Sequence, residues 1–174
     1  MAAFVLPERV YEAIERDCLE HDSTETGGVL VGARVGPDIV VAFGVPAGPK
    51  AVRSASGFAP DAEWQQEVLN LLHARFAGIA PVDYVADWHR HPGSCDRPSE
   101  HDLRTARGIV TDPTWNRVEA VFPIAVLEKR RVRLRAFHAY RYRAGFEEMS
   151  IEIVPDSDPR MRALLVGEPN GRER

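Results

Sequence analysis

The stretch that most restricts how this chain can fold is WHRHPGSCDRPSEHD, residues 88–102. It sets His89 and His91 one residue apart, breaks the chain with Pro92, Gly93 and Pro98, and resumes with Ser99 and Asp102. On a strand, alternate side chains share a face, so His89 and His91 point together while Arg90 points the other way. On a helix, residues three apart are neighbours, so Ser99 and Asp102 also share a face. The spacing predicts a strand end, a reversing loop and a helix start. Two imidazoles about 7 Å apart along one strand face can converge on a single metal ion. If the loop brings the helix back over them, Asp102 adds an oxygen to the two nitrogens. Such a set suits Zn²⁺ with its fourth position open to water.

Each piece also has a plain structural reading. His-x-His on a strand is a weak signal by itself. Ser99 followed by Asp102 matches a helix capping box, in which the serine accepts from a backbone N–H and the acid reaches back. Both readings can hold at once, because a capped helix start is a rigid platform. Hydrolysis at a metal also needs a proton acceptor, usually a carboxylate outside the ligand set. Glu25, in TETGGVLVG at the head of an expected strand, is the candidate; its alternative is a solvated acid in a turn. Gly27 and Gly28 leave the backbone uncrowded there, so another segment can approach closely.

Along the chain, an amphipathic helix is expected over 6–21, with Pro7 at its first position and Val10, Ile14 and Cys18 on its apolar stripe. Residues 27–46 read as two strands with a turn near Gly36-Pro37-Asp38, and residues 47–60 as an irregular loop. A second helix is expected over 61–78, with Trp64, Val68, Leu71, Leu72 and Phe76 on one side. Residues 82–89 form the strand that delivers the histidines, and Ser99 opens a third helix. Further strands are expected at 118–128, 131–143 and 149–155, and the polar C-terminus is expected to fray. Irregular alternation without an internal repeat predicts one α/β domain, a mixed sheet with helices against it.

The 174 residues fit a single domain. A formal net charge of −4 argues neither for bulk nucleic-acid binding nor for membrane attachment. Two cysteines, Cys18 and Cys95, argue against a disulfide framework. No apolar run approaches the roughly 18 residues of a membrane helix. MAAFVLPERV lacks the basic-then-apolar pattern of a secretory signal, so the expected location is cytoplasmic.

Glu25 ahead of TGGVLVG, His89-x-His91-Pro92, seven residues, then Ser99-x-x-Asp102 together resemble the JAMM signature of catalytically competent MPN-domain (MPN+) metalloproteases. All five polar positions match at the family's spacing, and the flanking helices and strands extend the resemblance over about residues 5–145. The chain is similar to the compact prokaryotic JAB-domain branch. That implies a single MPN domain over residues 1–158, with a mixed, mostly antiparallel, cytidine-deaminase-like central sheet flanked by helices, and a polar tail over 159–174. It implies one Zn²⁺ per chain held by His89, His91 and Asp102. Glu25 would take the proton from the attacking water and pass it to the leaving amine, and Ser99 would hydrogen-bond the oxyanion. The implied reaction is hydrolysis after the C-terminal glycine of a ubiquitin-like protein, beside activating-like and conjugating-like enzymes. Arg90 departs from the pattern, standing where a small hydroxyl residue is usual, but its outward direction leaves the ligand set intact.

Several residues carry two readings. Cys95 either fills the loop or turns its thiolate inward as an inhibitory fourth zinc ligand. His101 is expected at the surface, and Trp64, Trp88 and Trp115 in the core. Asp87 orders a neighbour or is a plain exposed acid. Residues 129–143 hold seven Lys or Arg and no acid, which reads as a solvated edge strand or a basic docking surface. Strand alternation would put Arg131, Arg133, Arg135, Arg141 and Arg143 on one face. Two other functions stay open: release of a small sulfur-carrier protein from a metabolite or amino acid, and a non-catalytic MPN interaction module. Zinc chemistry on a nucleobase is disfavoured, since the Cys-x-x-Cys pair of zinc deaminases is absent.

Overall fold

The computed structural model describes residues 2–114 and 116–166. Elements run β1 (Ala3–Pro7), α1 (Glu8–Glu20), β2 (Thr26–Val35), β3 (Asp38–Pro46), β4 (Val52–Ser54), β5 (Gly57–Ala59) and α2 (Ala62–Phe76). There follow β6 (Asp83–Arg90), α3 (Glu100–Thr111), β7 (Glu119–Glu128), β8 (Arg131–Tyr140), β9 (Phe146–Val154) and α4 (Pro159–Val166). Among these residues no helix is long and apolar enough to cross a membrane.

The mixed sheet with helices is present, but it closes on itself in the order β1-β3-β2-β6-β7-β8-β9. Closure is the work of β1, an element the sequence reading did not anticipate. It pairs in parallel with β3 on one side and with β9 on the other, from Ala3↔Ser150 to Pro7↔Val154. A strand with partners on both edges and side chains packed on both faces carries no alternation, and all five residues of AFVLP are buried. The helix therefore starts after Pro7, which serves as its cap. Val10, Ile14 and Cys18 are its buried stripe, as expected. The helix touches β1, β2, β3, β7, β8 and β9, so the sheet curls around it.

The other face packs against α2, α3 and α4. Trp64, Val68, Leu72 and Phe76 join that layer, and Trp88 lies in the core on the α1 side. Leu71 does not join it and is 70% exposed. By helix period it lies only about 20° from Trp64, seven residues earlier, which does join the layer, so its place around the helix does not account for its exposure. Trp115 lies outside the described residues.

Residues 159–166 are not a polar tail. They form α4, which packs on β2 and β3 with Met161 and Leu164 buried; residues 167–174 lie outside the described residues. Leu164→Ala should therefore cost about 2–5 kcal/mol in urea unfolding, as for other truncated core leucines. Unchanged stability would return the segment to a loosely attached tail.

Candidate metal centre

Two adjoining strands and one helix start build the site. β2 and β6 are antiparallel, with Thr26 opposite Arg90 and Gly27 opposite His89, so Glu25 stands just beyond the histidine level. The glycines are what allow this approach. A Cβ on Gly27 would lie 2.4 Å from the Trp88 carbonyl oxygen and 2.9 Å from the Phe58 ring, and one on Gly28 would lie 2.4 Å from the Val45 carbonyl oxygen. On its other edge β6 runs parallel to β7, and the His91 N–H donates to the Ala125 carbonyl at 3.1 Å. Gly93, at a φ of +87° that favours glycine, then turns the chain toward α3.

The helix start is a complete capping box: Asp102 N–H donates to Ser99 Oγ at 3.2 Å, and Ser99 N–H donates to Asp102 Oδ2 at 2.6 Å. The same carboxylate faces the histidines. His89 Nε2 is 3.2 Å from Asp102 Oδ1, His91 Nε2 is 3.4 Å from Oδ2, and the two Nε2 atoms are 2.8 Å apart. The capping and ligating readings thus describe one carboxylate at work in both directions.

The donor set fits a metal ion. His91 Nδ1 lies 3.0 Å from the Cys95 carbonyl oxygen, an acceptor only, so Nδ1 carries a hydrogen and Nε2 of the neutral ring offers its lone pair inward. One donor atom from each of His89, His91 and Asp102 lies within 4.8 Å of the others. In the metal-free arrangement these groups polarise one another. The hydrogen bond to Asp102 raises the His91 imidazolium to about 9 despite its burial. Burial pushes the Asp102 carboxyl up, but the two histidines outweigh it and hold it well below the usual range. A metal would replace the protons that stabilise this cluster.

Around the cluster opens a cleft of about 710 Å³ whose lining includes Glu25, Phe58, His89, His91, Ser99 and Asp102. Cys95 reaches it differently from the inward-thiolate reading: its carbonyl orients His91, while the residue is exposed and its thiol donates to the Arg97 carbonyl at 3.7 Å. His101 is exposed, as expected. Asp87 is the ordering group rather than a free surface acid. It accepts from the Tyr84 hydroxyl at 2.7 Å, and burial pushes its carboxyl up to about 6.

The basic 129–143 segment does not form an edge strand. β8 pairs with β7 and with β9 and ends at Tyr140. Arg133 binds Asp96 and Glu128; Arg135 binds Asp96 at 3.0 Å and Glu148 at 2.5 Å. Arg143 pairs with Glu147, and Arg141 donates to the Val110 and Arg117 carbonyls. Arg133, Arg135, Arg141 and Arg143 are thus partnered within the chain, and through Asp96 the strand fastens the loop between His91 and Ser99. Sequence reasoning missed this because the matching acids lie up to 37 residues away.

Residues 7–140 match the family described as prokaryotic homologs of the JAB domain. A probable metalloprotease of Sinorhizobium fredii is 34% identical over 110 residues, covering 62% of this chain and 66% of that protein. The chain thus spans just under two thirds of that relative's length. A CD-NTase/cGAS isopeptidase of Enterobacter hormaechei is 30% identical over 164 residues, 93% of this chain and 82% of its own. A solution structure from Desulfitobacterium hafniense has the same fold, with a TM-score of 0.61 at 20% identity, covering 89% of this chain and 94% of that one.

Replacing His89 by alanine should abolish retention of one zinc per chain after dialysis, and with it the rise in melting temperature that zinc gives the purified protein. Cys95→Ser should change neither. Full zinc occupancy in the His89 variant would remove the cluster as the metal site.

Proposed function

This chain belongs to the prokaryotic JAB-domain family, and we propose that it is a zinc-dependent isopeptidase or peptidase cutting after the C-terminal glycine of a ubiquitin-like protein. One observation carries the reading: Glu25, His89, His91, Ser99 and Asp102 line the same cleft. A complete donor set beside a carboxylate and a hydroxyl supports an enzyme over a non-catalytic module. The substrate class rests on relatives: a protein named CD-NTase/cGAS isopeptidase aligns with nearly the whole chain. A nucleotidyltransferase of that class is accordingly the acceptor we propose, with activating-like and conjugating-like enzymes supplying the conjugate.

His89, His91 and Asp102 would hold the ion. When bound, zinc would supply Lewis-acid chemistry, acidifying water and polarising the scissile carbonyl. Glu25 takes the proton of the attacking water on its carboxylate and returns it to the departing lysine amine, so that the amine leaves neutral. Ser99 Oγ already accepts from the Asp102 N–H, which leaves its own hydrogen for the oxygen on which charge develops. Ala55, Ser56 and Pro60 are exposed beside Phe58 in the cleft lining, the side from which the glycine-ended chain would enter.

The test is direct. A nucleotidyltransferase joined through a lysine to the C-terminal glycine of a ubiquitin-like protein should be split by the zinc-loaded chain into a glycine carboxylate and a free lysine, read by intact mass. Glu25→Gln should keep its zinc and lose at least about 100-fold in turnover. An intact conjugate in the presence of folded, zinc-loaded protein would contradict the assignment. Near-normal turnover by the glutamine variant would remove Glu25 from the chemistry.

A further inference from the structure

The residue between the two histidines is not idle. Arg90 is 3% exposed, so the outward direction expected from strand alternation leads into the protein rather than to solvent. Its guanidinium reaches the turn that joins α1 to β2. Nη1 donates to the carbonyls of His21 at 3.2 Å and Thr24 at 2.5 Å, and Nη2 donates to the Asp22 carbonyl at 2.6 Å. They belong to the helix's C-cap residue and to the turn beyond it, and the His21 carbonyl also accepts from the Thr24 N–H at 3.1 Å. α1 has no basic residue in its last turn, so the positive group that complements the helix C-terminus comes from β6. Among the described residues its buried Nε has no hydrogen-bond partner, so its hydrogen bonds all run through the two terminal nitrogens.

The turn held in this way ends at Glu25. The Thr24 carbonyl that Arg90 binds most closely belongs to the peptide whose N–H is that of Glu25. That N–H donates to the Ser54 carbonyl on β4 at 2.8 Å. One peptide unit is thus gripped at both ends, by the histidine strand through its oxygen and by the β4–β5 hairpin through its nitrogen. The next residue is fixed as well: Thr26 Oγ1 donates to Asp17 Oδ2 at 2.6 Å and accepts from Arg53 Nε at 3.0 Å. The Glu25 side chain, by contrast, is half-buried at the cleft. Its position is therefore set by its backbone.

We infer that Arg90 is a positioning residue for Glu25: one strand turns His89 and His91 to the metal side and uses the residue between them to hold the proton-accepting carboxylate's backbone in place. The opposite faces of β6 do different work. A planar guanidinium with several donors can span three carbonyls, and an ammonium, a point charge on a flexible stem, does so poorly. Arg90 then acts on turnover without touching metal or substrate. The catalytic half of this inference rests on the proposed role of Glu25; the structural half does not.

The experiment separates the two. In the full chain, Arg90→Met and Arg90→Lys are compared with the parent for zinc stoichiometry, amide hydrogen exchange and cleavage of the glycine-ended conjugate described above. With Arg90→Met, exchange at the Thr24 and Glu25 amides should accelerate at least about tenfold, while the amides of β6 and β7 stay protected and one zinc is retained. Turnover should fall about tenfold or more with KM little changed, since a displaced acceptor weakens only the transition state. Arg90→Lys should recover part of both effects. Combined with Glu25→Gln, Arg90→Met should add no further loss, because the group it positions is already inactive. Unchanged exchange at Thr24 and Glu25 in Arg90→Met would overturn the inference, as would a full additional loss in the double variant. If exchange accelerates but Glu25→Gln itself is near normal, the anchor stands and the role given to Glu25 fails. Should Arg90→Met fail to fold, Arg90→Lys carries the same comparison.

Discussion

The site depends on the close antiparallel pairing of β2 with β6. Gly27 stands opposite His89, and any side chain there would strike the Trp88 carbonyl and the Phe58 ring. This contact puts Glu25 at the end of one strand and the histidines at the end of its neighbour, so acid and imidazoles enter one cleft from adjoining backbones. A small residue is needed where two backbones and an aromatic ring meet, and the paired glycines supply it. Without that approach, the carboxylate and the donor cluster would be two unrelated features.

Around the pairing, groups with a structural task also orient a functional one. Asp102 completes the α3 cap, ordinarily worth about 1 kcal/mol, and turns the same carboxylate to His89 and His91. The Cys95 carbonyl fixes the His91 ring, and Asp96, held by Arg133 and Arg135, fixes the loop that carries Cys95. Arg90 anchors the turn before Glu25. Outer contacts of this kind hold metal ligands and neighbouring groups in place before any ion or substrate arrives.

What could be read from the sequence follows from how far apart the cooperating residues lie. The donor cluster was legible because a strand, a loop and a helix start fall within fifteen consecutive residues, where the periods of two and 3.6 decide which side chains meet. The helix stripe Val10-Ile14-Cys18 and the Gly36 hairpin were legible for the same reason. Closure of the sheet was not: β1 pairs with β9 across some 147 residues, and a five-residue apolar run carries no periodicity to announce it. Arg90 looked idle because alternation says only that it faces away from the histidines. It says nothing of the turn waiting on that side. The basic strand looked like a possible sheet edge because its neighbour β9 and its acidic partners Asp96, Glu128, Glu147 and Glu148 lie on other elements. Residues 159–166 looked like tail because the start of a short polar-flanked helix hides two apolar positions that matter only once β2 and β3 are adjacent.

The central claim is that His89, His91 and Asp102, and no thiolate, hold one zinc ion beside Glu25. X-ray absorption at the zinc edge of the stoichiometrically loaded protein tests it most directly. The account predicts a shell of nitrogen and oxygen alone at about 2.0–2.2 Å, with the multiple-scattering signature of two imidazoles. A sulfur at about 2.3 Å, or a shell without two imidazoles, would contradict it.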